Sequence, residues 1–335
     1  MGDSVLAEPD ARGRPVAAEV VAPEACDGEF ARAGWGYAAG VWLVSILAMI
    51  TNLGEAFVRK LTRRKKMRIA EILWSMGRRE RHVSSFFFDR FSRFHHQVKY
   101  GAAGWRSLDL FYNYHDKVQP KLGNNLEGWV TRYWMGKLEN RQAVTNRLKL
   151  ATNLLTTAMD ELSGEPEIRL LSIASGSAQA VIQAVRRRPD LHVRVLLIDA
   201  DRTALDAARK LAMGAGVGAC FSYRADTTNG LEEACAQFRP HIIEMIDFLD
   251  YRTQRKAIAL VSRVREQLPA GGVFITGNIH PNREKIFLDW VLLWPMIYRT
   301  SEEFAEVIVE AGFEPGRVRL IYEPFKIHGI AVCRK

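Results

Sequence analysis

From residue 164 to the end of the chain, short apolar runs alternate with amphipathic stretches, and this alternation restricts the fold more than any other feature. Apolar runs at 168–174, 193–199, 217–223, 241–246 and 272–276 read as buried strands. Residues 178–188, 203–213 and 253–268 read as helices, two of them stopped by Pro189 and Pro269. Helical stretches at 283–293 and 301–311 follow, then strands at 317–321 and 327–333. Near-continuous apolar strands separated by helices call for a parallel sheet covered on both faces. The expected fold is therefore α/β and doubly wound, with its ligand beyond the carboxyl ends of the strands.

The connections carry the chemistry. Leu171-Ser172-Ile173-Ala174-Ser175-Gly176-Ser177-Ala178-Gln179 places a turn of small residues between the first strand and its helix. Small side chains let a ligand approach the backbone, and a helix N-terminus presents free N–H groups. The next strand ends in Asp199, where a carboxylate can accept both hydroxyls of a ribose. Asp226 stands near the end of the third strand, placed to receive an adenine amino group. Glu244, Asp247 and Asp250 follow the fourth, and Pro269-Ala270-Gly271-Gly272 turns into the fifth.

Together these features resemble the class I S-adenosylmethionine-dependent methyltransferases over residues 164–335. The resemblance implies a seven-stranded Rossmann-like sheet with its last strand, 327–333, antiparallel, and S-adenosylmethionine as the cofactor. It places Ser172, Ala174, Gly176 and Ser177 on the methionine and adenosine side, Asp199 on the ribose and Asp226 on the adenine. The family's first motif opens with an acid and carries two or three glycines; here Ser172 opens it and Gly176 is the one glycine left. A nicotinamide dehydrogenase would need G-x-G-x-x-G for its pyrophosphate, of which this loop supplies one glycine in three. A sulfonium nucleoside has no pyrophosphate and tolerates the poorer loop.

The first half of the chain is organised differently. Residues 1–32 form an acidic tail expected to be disordered: positions 1–30 hold seven acids and two bases, a balance of −5. No basic region precedes an apolar stretch there, and position 6 lacks the Ser or Thr of a myristoylation signal, so neither a secretory leader nor that lipid is expected. Residues 33–54 carry no charge, and seven bases with no acid fall between Arg59 and Arg68. Such a segment, 33–68, fits a single N-terminal membrane anchor with a cytoplasmic catalytic domain behind it, or a helix buried on a soluble domain.

Residues 69–163 read as a helical, aromatic-rich lid domain, ending in a helix over 140–162 with Val144, Leu148, Ala151, Leu155 and Met159 at helical spacing. Bases interleaved with aromatics can mark a nucleic-acid face. Here Phe86, Phe91 and Phe94 sit at helical spacings, which suits a core, and the Asn/Asp-Pro-Pro-Tyr box of base-amino methyltransferases is replaced by Asp247-Phe248-Leu249-Asp250. A nucleic-acid substrate is therefore not expected. Four scattered cysteines (Cys26, Cys220, Cys235, Cys333) suggest neither a disulfide framework nor a zinc site.

With an activated leaving group already on the sulfonium, the protein has to hold a nucleophile in line, which can be worth ~7–11 kcal/mol. Tyr112 or Tyr114 could face the sulfonium, His115 could act as a base, and Asp247 is the strand-end acid best placed to reach the transferring centre. Asn140, Arg141 and Tyr298, with Arg299 beside it, are candidate substrate contacts, Arg141 through a bidentate carboxylate bond. The expected activity is methyl transfer to a small molecule inside a lidded pocket. The chain also resembles azetidine-2-carboxylate-forming cyclases, in which the cofactor's own amine expels methylthioadenosine; Ser172 in place of an acid would suit a neutral amine. A non-catalytic binding scaffold is the third reading.

Overall fold

β1 (Ala17–Val20), β2 (Ile168–Ile173), β3 (Val193–Asp199), β4 (Phe221–Ala225), β5 (Ile242–Met245), β6 (Val273–Ile279), β7 (Val318–Tyr322) and β8 (His328–Arg334) form one sheet in the order β1-β7-β8-β6-β5-β2-β3-β4. They are seen in a computed structural model that describes residues 16–62 and 90–335. β8 runs antiparallel to both its neighbours, β6 and β7, and every other pairing is parallel. The seven strands expected after residue 164 are all present, and the final one is reversed as the resemblance implied.

Two details depart from the sequence reading. The sheet has eight strands, because β1, within the segment expected to be disordered, pairs with the outer edge of β7. An edge strand exposes unpaired N–H and C=O groups, and β1 covers them; Glu19 adds an ion pair to Arg319 at 2.6 Å. The third expected strand is also shifted to Phe221–Ala225, since Gly218–Cys220 makes a 3-10 turn ahead of it.

Beyond the acidic tail come α1 (Trp35–Thr62), α2 (Arg93–Tyr100), α3 (Trp105–Tyr112), α4 (Leu126–Thr131) and α5 (Glu139–Glu161). Between and after the strands lie α6 (Gln179–Arg187), α7 (Arg202–Gly214), α8 (Leu231–Phe238), α9 (Gln254–Gln267), α10 (Lys285–Trp290) and α11 (Ser301–Glu310). The chain divides into a sheet unit (the chain up to Gly28, Asn146–His280 and Ile297–Lys335) and a helical unit (Glu29–Thr145 and Pro281–Met296). The division falls inside α5 rather than at residue 163, because Leu150, Ala151, Leu155, Ala158 and Met159 on its C-terminal part pack into the core of the sheet.

In the sheet unit, α5, α6 and α7 cover one face and α8, α9 and α11 the other, each through a buried apolar cluster. From β2 the chain moves outward to β3 and β4, then returns to the other side of β2 as β5 and β6. The strand order therefore reverses between β2 and β5, the crevice where open α/β sheets bind ligands.

In the helical unit, α1 turns Tyr37, Val41, Ser45, Ala48, Asn52 and Ala56 inward, at spacings of three and four. Asn52 donates to the Trp290 carbonyl at 2.6 Å and Tyr37 to that of Trp134 at 3.2 Å. The opposite face exposes Trp35, Trp42, Leu43, Leu47, Ile50, Leu53, Phe57 and Val58. A cavity of about 350 Å³ lies where α1 meets α10. The tail residues before position 16, the bases of the run from Arg63 onward, and Phe86–Phe88 lie outside the described residues.

Candidate active site

β2 ends in a loop with an unusual backbone. Ala174, Gly176 and Ala178 all take left-handed conformations, with φ of 52°, 54° and 51°. Only glycine enters that region without a steric cost, so two alanines hold a strained geometry that glycine would adopt freely. The poverty of glycine in the sequence therefore hides a loop with glycine-like shape, and backbone strain of this kind gathers at binding sites. The loop is braced from β3: Asp199 Oδ2 accepts the Gly176 N–H and Oδ1 the Asp201 N–H, both at 2.8 Å. Burial pushes the Asp199 carboxyl above the usual range, against the backbone hydrogen bonds from Asp201, Gly176 and Ala200.

At the reversal point, Ser172 on β2 lies in register with Glu244 on β5. Ser172 Oγ donates to Glu244 Oε2 at 2.5 Å, and the Ile246 N–H donates to Oε1 at 2.7 Å. Just beyond, Asp247 holds a left-handed backbone (φ 67°) and pairs with Arg147 of α5. Asp250 accepts the Ile279 N–H at 2.7 Å. Burial pushes Glu244 and Asp250 each up to about 7, with the negative charge of Asp247 adding to the effect and Arg147 opposing it. Arg147 also contacts His328 Nδ1 at 3.1 Å. Burial, with that guanidinium beside it, holds His328 well below the ordinary histidine range, so its ring is neutral. Three carboxylates thus converge at the carboxyl edge of the sheet with two guanidiniums, Arg147 and, beside Asp250, Arg299.

Two of these groups escaped the sequence reading. Arg147 lies on the buried stripe of α5, three residues after Val144, where a charge among apolar neighbours was the available signal. His328 opens the last strand and nothing in its local sequence sets it apart. Other expected residues are placed separately. Asp226 accepts from Arg224 Nε at 3.0 Å and from the Thr227 N–H at 2.7 Å, at the end of β4. Tyr298 is half-buried. Arg299 is buried and structural, donating to the Leu249 and Arg252 carbonyls and to Asn278 and Gln254. Ser177 is buried at the start of α6.

The candidates of the first half of the chain meet one another within the helical unit. Arg141 does hold a carboxylate, that of Glu29, but through Nη1 alone, at 2.6 and 2.7 Å to its two oxygens, and not in a bidentate fork. Its remaining donors reach the Met135 and Gly136 carbonyls, and its guanidinium stacks 4.6 Å over the ring of Tyr114. His115 Nε2 lies 3.2 Å from Glu29, and its Nδ1 contacts Gln119 at 2.6 Å. Arg141 and His115 together hold Glu29 below its ordinary value, although burial opposes them. Asn140 donates through its backbone and side chain to Glu284, which caps the start of α5. Tyr112 is half-buried at the end of α3. Among the described residues, no three His, Cys, Asp or Glu side chains are arranged to hold a metal ion.

Residues 58–335 match the model of a protein family described as "Putative methyltransferase". A crystal structure of a possible exported protein from Bordetella parapertussis is 17% identical, covering 91% of this chain and 97% of that one at a TM-score of 0.60. An O-methyltransferase family protein from Burkholderia thailandensis is 15% identical, with coverage of 59% and 60% and a TM-score of 0.43. Human N-acetylserotonin methyltransferase, in complex with S-adenosylmethionine, is 14% identical, with coverage of 62% and 58% and a TM-score of 0.42. No curated protein matches the chain.

Proposed function

The chain belongs to this methyltransferase family, and we propose that it transfers the methyl group of S-adenosylmethionine to a small-molecule acceptor. The observation that carries the reading is the group of Glu244, Asp247 and Asp250, with Arg147 and Arg299 beside them, at the point where the strand order reverses. Three carboxylates against two guanidiniums, with Asp247 partly open to solvent, favour a positively charged ligand. S-adenosylmethionine brings a sulfonium, an ammonium and an activated methyl group. In this reading Asp199 accepts from the ribose hydroxyls and Asp226 receives the adenine amino group. The strained loop from Ala174 to Ala178 keeps side chains out of the way of the nucleoside.

On the acceptor side, Asp247 and Tyr298 are the proposed contacts. Tyr114 and His115 are engaged with Arg141 and Glu29, so proton handling is assigned to the strand-end carboxylates. Of these, Asp250, pushed up to about 7, can take up or release a proton at neutral pH. Incubation with S-adenosylmethionine and a panel of hydroxyl- and amine-bearing small molecules should yield S-adenosylhomocysteine only when an acceptor is present. Methylthioadenosine released without any acceptor would make the protein an intramolecular cyclase instead. Failure to bind the nucleoside at all would leave a scaffold.

We also propose that the outward face of α1 rests on a membrane surface. Eight large apolar side chains face outward along this helix, and a run of seven bases begins at its C-terminal end. An apolar face followed by a basic run suits an anionic bilayer. The buried polar contacts of Tyr37 and Asn52 favour a helix lying in the interface over one crossing it.

A further inference from the structure

Ser172 and Glu244 solve a problem that the first motif leaves open. A sulfonium amino acid carries an α-ammonium with three N–H donors, which needs an anionic acceptor, and position 172 offers a hydroxyl. The hydroxyl, however, is not free. It is fully buried and donates to Glu244, 7% exposed, on the adjacent strand. The two residues are register partners, so their side chains leave the sheet on the same face. Glu244 has one hydrogen bond on each oxygen, from Ser172 and from the Ile246 N–H, and no ion-pair partner among the described residues. A carboxylate has about four lone-pair sites, so two remain. Arg147 offsets part of the cost of burying this carboxylate without pairing with it directly, and a ligand that brings a cation to the carboxylate offsets the rest.

We propose that Glu244 receives the α-ammonium of S-adenosylmethionine and that Ser172 is its positioning residue, the acid having moved one strand across the sheet from position 172 to position 244. This rests on the reading of the chain as an S-adenosylmethionine-dependent enzyme. Ser172 fixes the rotamer of Glu244 from one side and the Ile246 amide from the other, leaving the free lone pairs at the β2–β5 crevice. Burial keeps Glu244 near pKa 7; an ammonium alongside it would draw the proton off.

Binding of three ligands tests the assignment. S-adenosylmethionine and S-adenosylhomocysteine carry the ammonium; 5′-methylthioadenosine has the same nucleoside end without it. Glu244→Gln should weaken the first two by about 10- to 100-fold and leave the third within about twofold by isothermal titration. Equal losses for all three ligands would show a merely structural role and overturn the assignment, as would no loss for any. Moving the acid back, in the double variant S172D/E244S, should recover most of the affinity for S-adenosylmethionine, and a folded double variant no tighter than Glu244→Gln would count against the relocation. Should the double variant not fold, the three-ligand comparison on Glu244→Gln still decides. If the wild-type protein binds none of the three, the cofactor reading itself fails and the assignment falls with it, a result distinct from the selective pattern above.

Discussion

Asp199 accepts the backbone N–H of Gly176 at 2.8 Å with one carboxylate oxygen, while the other holds the Asp201 N–H. One side chain at the end of β3 therefore braces the β2 loop and faces the proposed ribose site. Asp199→Ala should remove both functions, weakening S-adenosylmethionine binding by about 2–3 kcal/mol, the scale of hydrogen bonds to a charged acceptor. Asp199→Asn, which keeps the shape, should lose less. Titration calorimetry on both variants checks this, and unchanged affinity in Asp199→Ala would remove the nucleoside from this end of the sheet.

The alanines of the same loop predict a gain. A left-handed conformation costs an L-residue roughly 1–2 kcal/mol, and a glycine gives back about 0.5–1 kcal/mol of that in unfolded-chain entropy. Ala174→Gly should therefore stabilise the protein by about 0.5–1 kcal/mol, seen as a higher urea midpoint with an unchanged slope. A lower midpoint would mean that the loop is not held as described.

Arg147 pairs with Asp247 from a buried position, whereas Asp247 keeps 20% of its side chain exposed. Removing one partner of a buried pair costs ~3–5 kcal/mol, and the partial exposure of Asp247 places Arg147→Ala near the low end. Denaturant unfolding measures the loss. A change below about 1 kcal/mol would class the pair with surface ion pairs.

Glu244 and Asp250 set a pH dependence. Both are raised to about 7 from ordinary values of 4.5 and 3.8, so between about pH 4.5 and 7 the native state binds more protons than the unfolded one. The stability they contribute is full below the unfolded values and is lost as pH rises through 7, at up to ~1.4 kcal/mol per pH unit for each group. Asp250→Asn should flatten that slope, read as the difference from wild type in urea unfolding at pH 5 and 7. Affinity for a cationic nucleoside should move the other way, rising from pH 6 to 8 as the carboxyls ionise. An affinity independent of pH would separate these groups from the ligand.

Vesicle co-sedimentation addresses α1. The protein should pellet with phosphatidylserine vesicles more than with neutral ones, and the double variant L47D/I50D should stay in the supernatant with its fold intact. Equal recovery of wild type and variant would assign the apolar face to something other than lipid.

How much of this was legible beforehand depends on sequence distance. The strand and helix periods, the loop around Gly176 and the carboxylates at the strand ends are local patterns, written into neighbouring residues, and they sufficed for the doubly wound sheet with its reversed last strand. The left-handed alanines were missed because two of them stand where composition suggests an ordinary turn. β1 was missed because its partner β7 lies about 300 residues away, and a four-residue run in an acidic tail carries no sign of the open edge it will cover.

The sequence alone determined the layering, since the burial of alternating apolar runs admits few arrangements, and it marked Asp199 and Asp226 by their places after strands. Tertiary structure decided the rest of the site. Folding brought Glu244 beside Ser172 across 72 residues and Arg147 to His328 across 181, and it left Arg141 holding Glu29. Which ionisable groups share a buried space fixes their charge and their partners, and no local pattern carries that information.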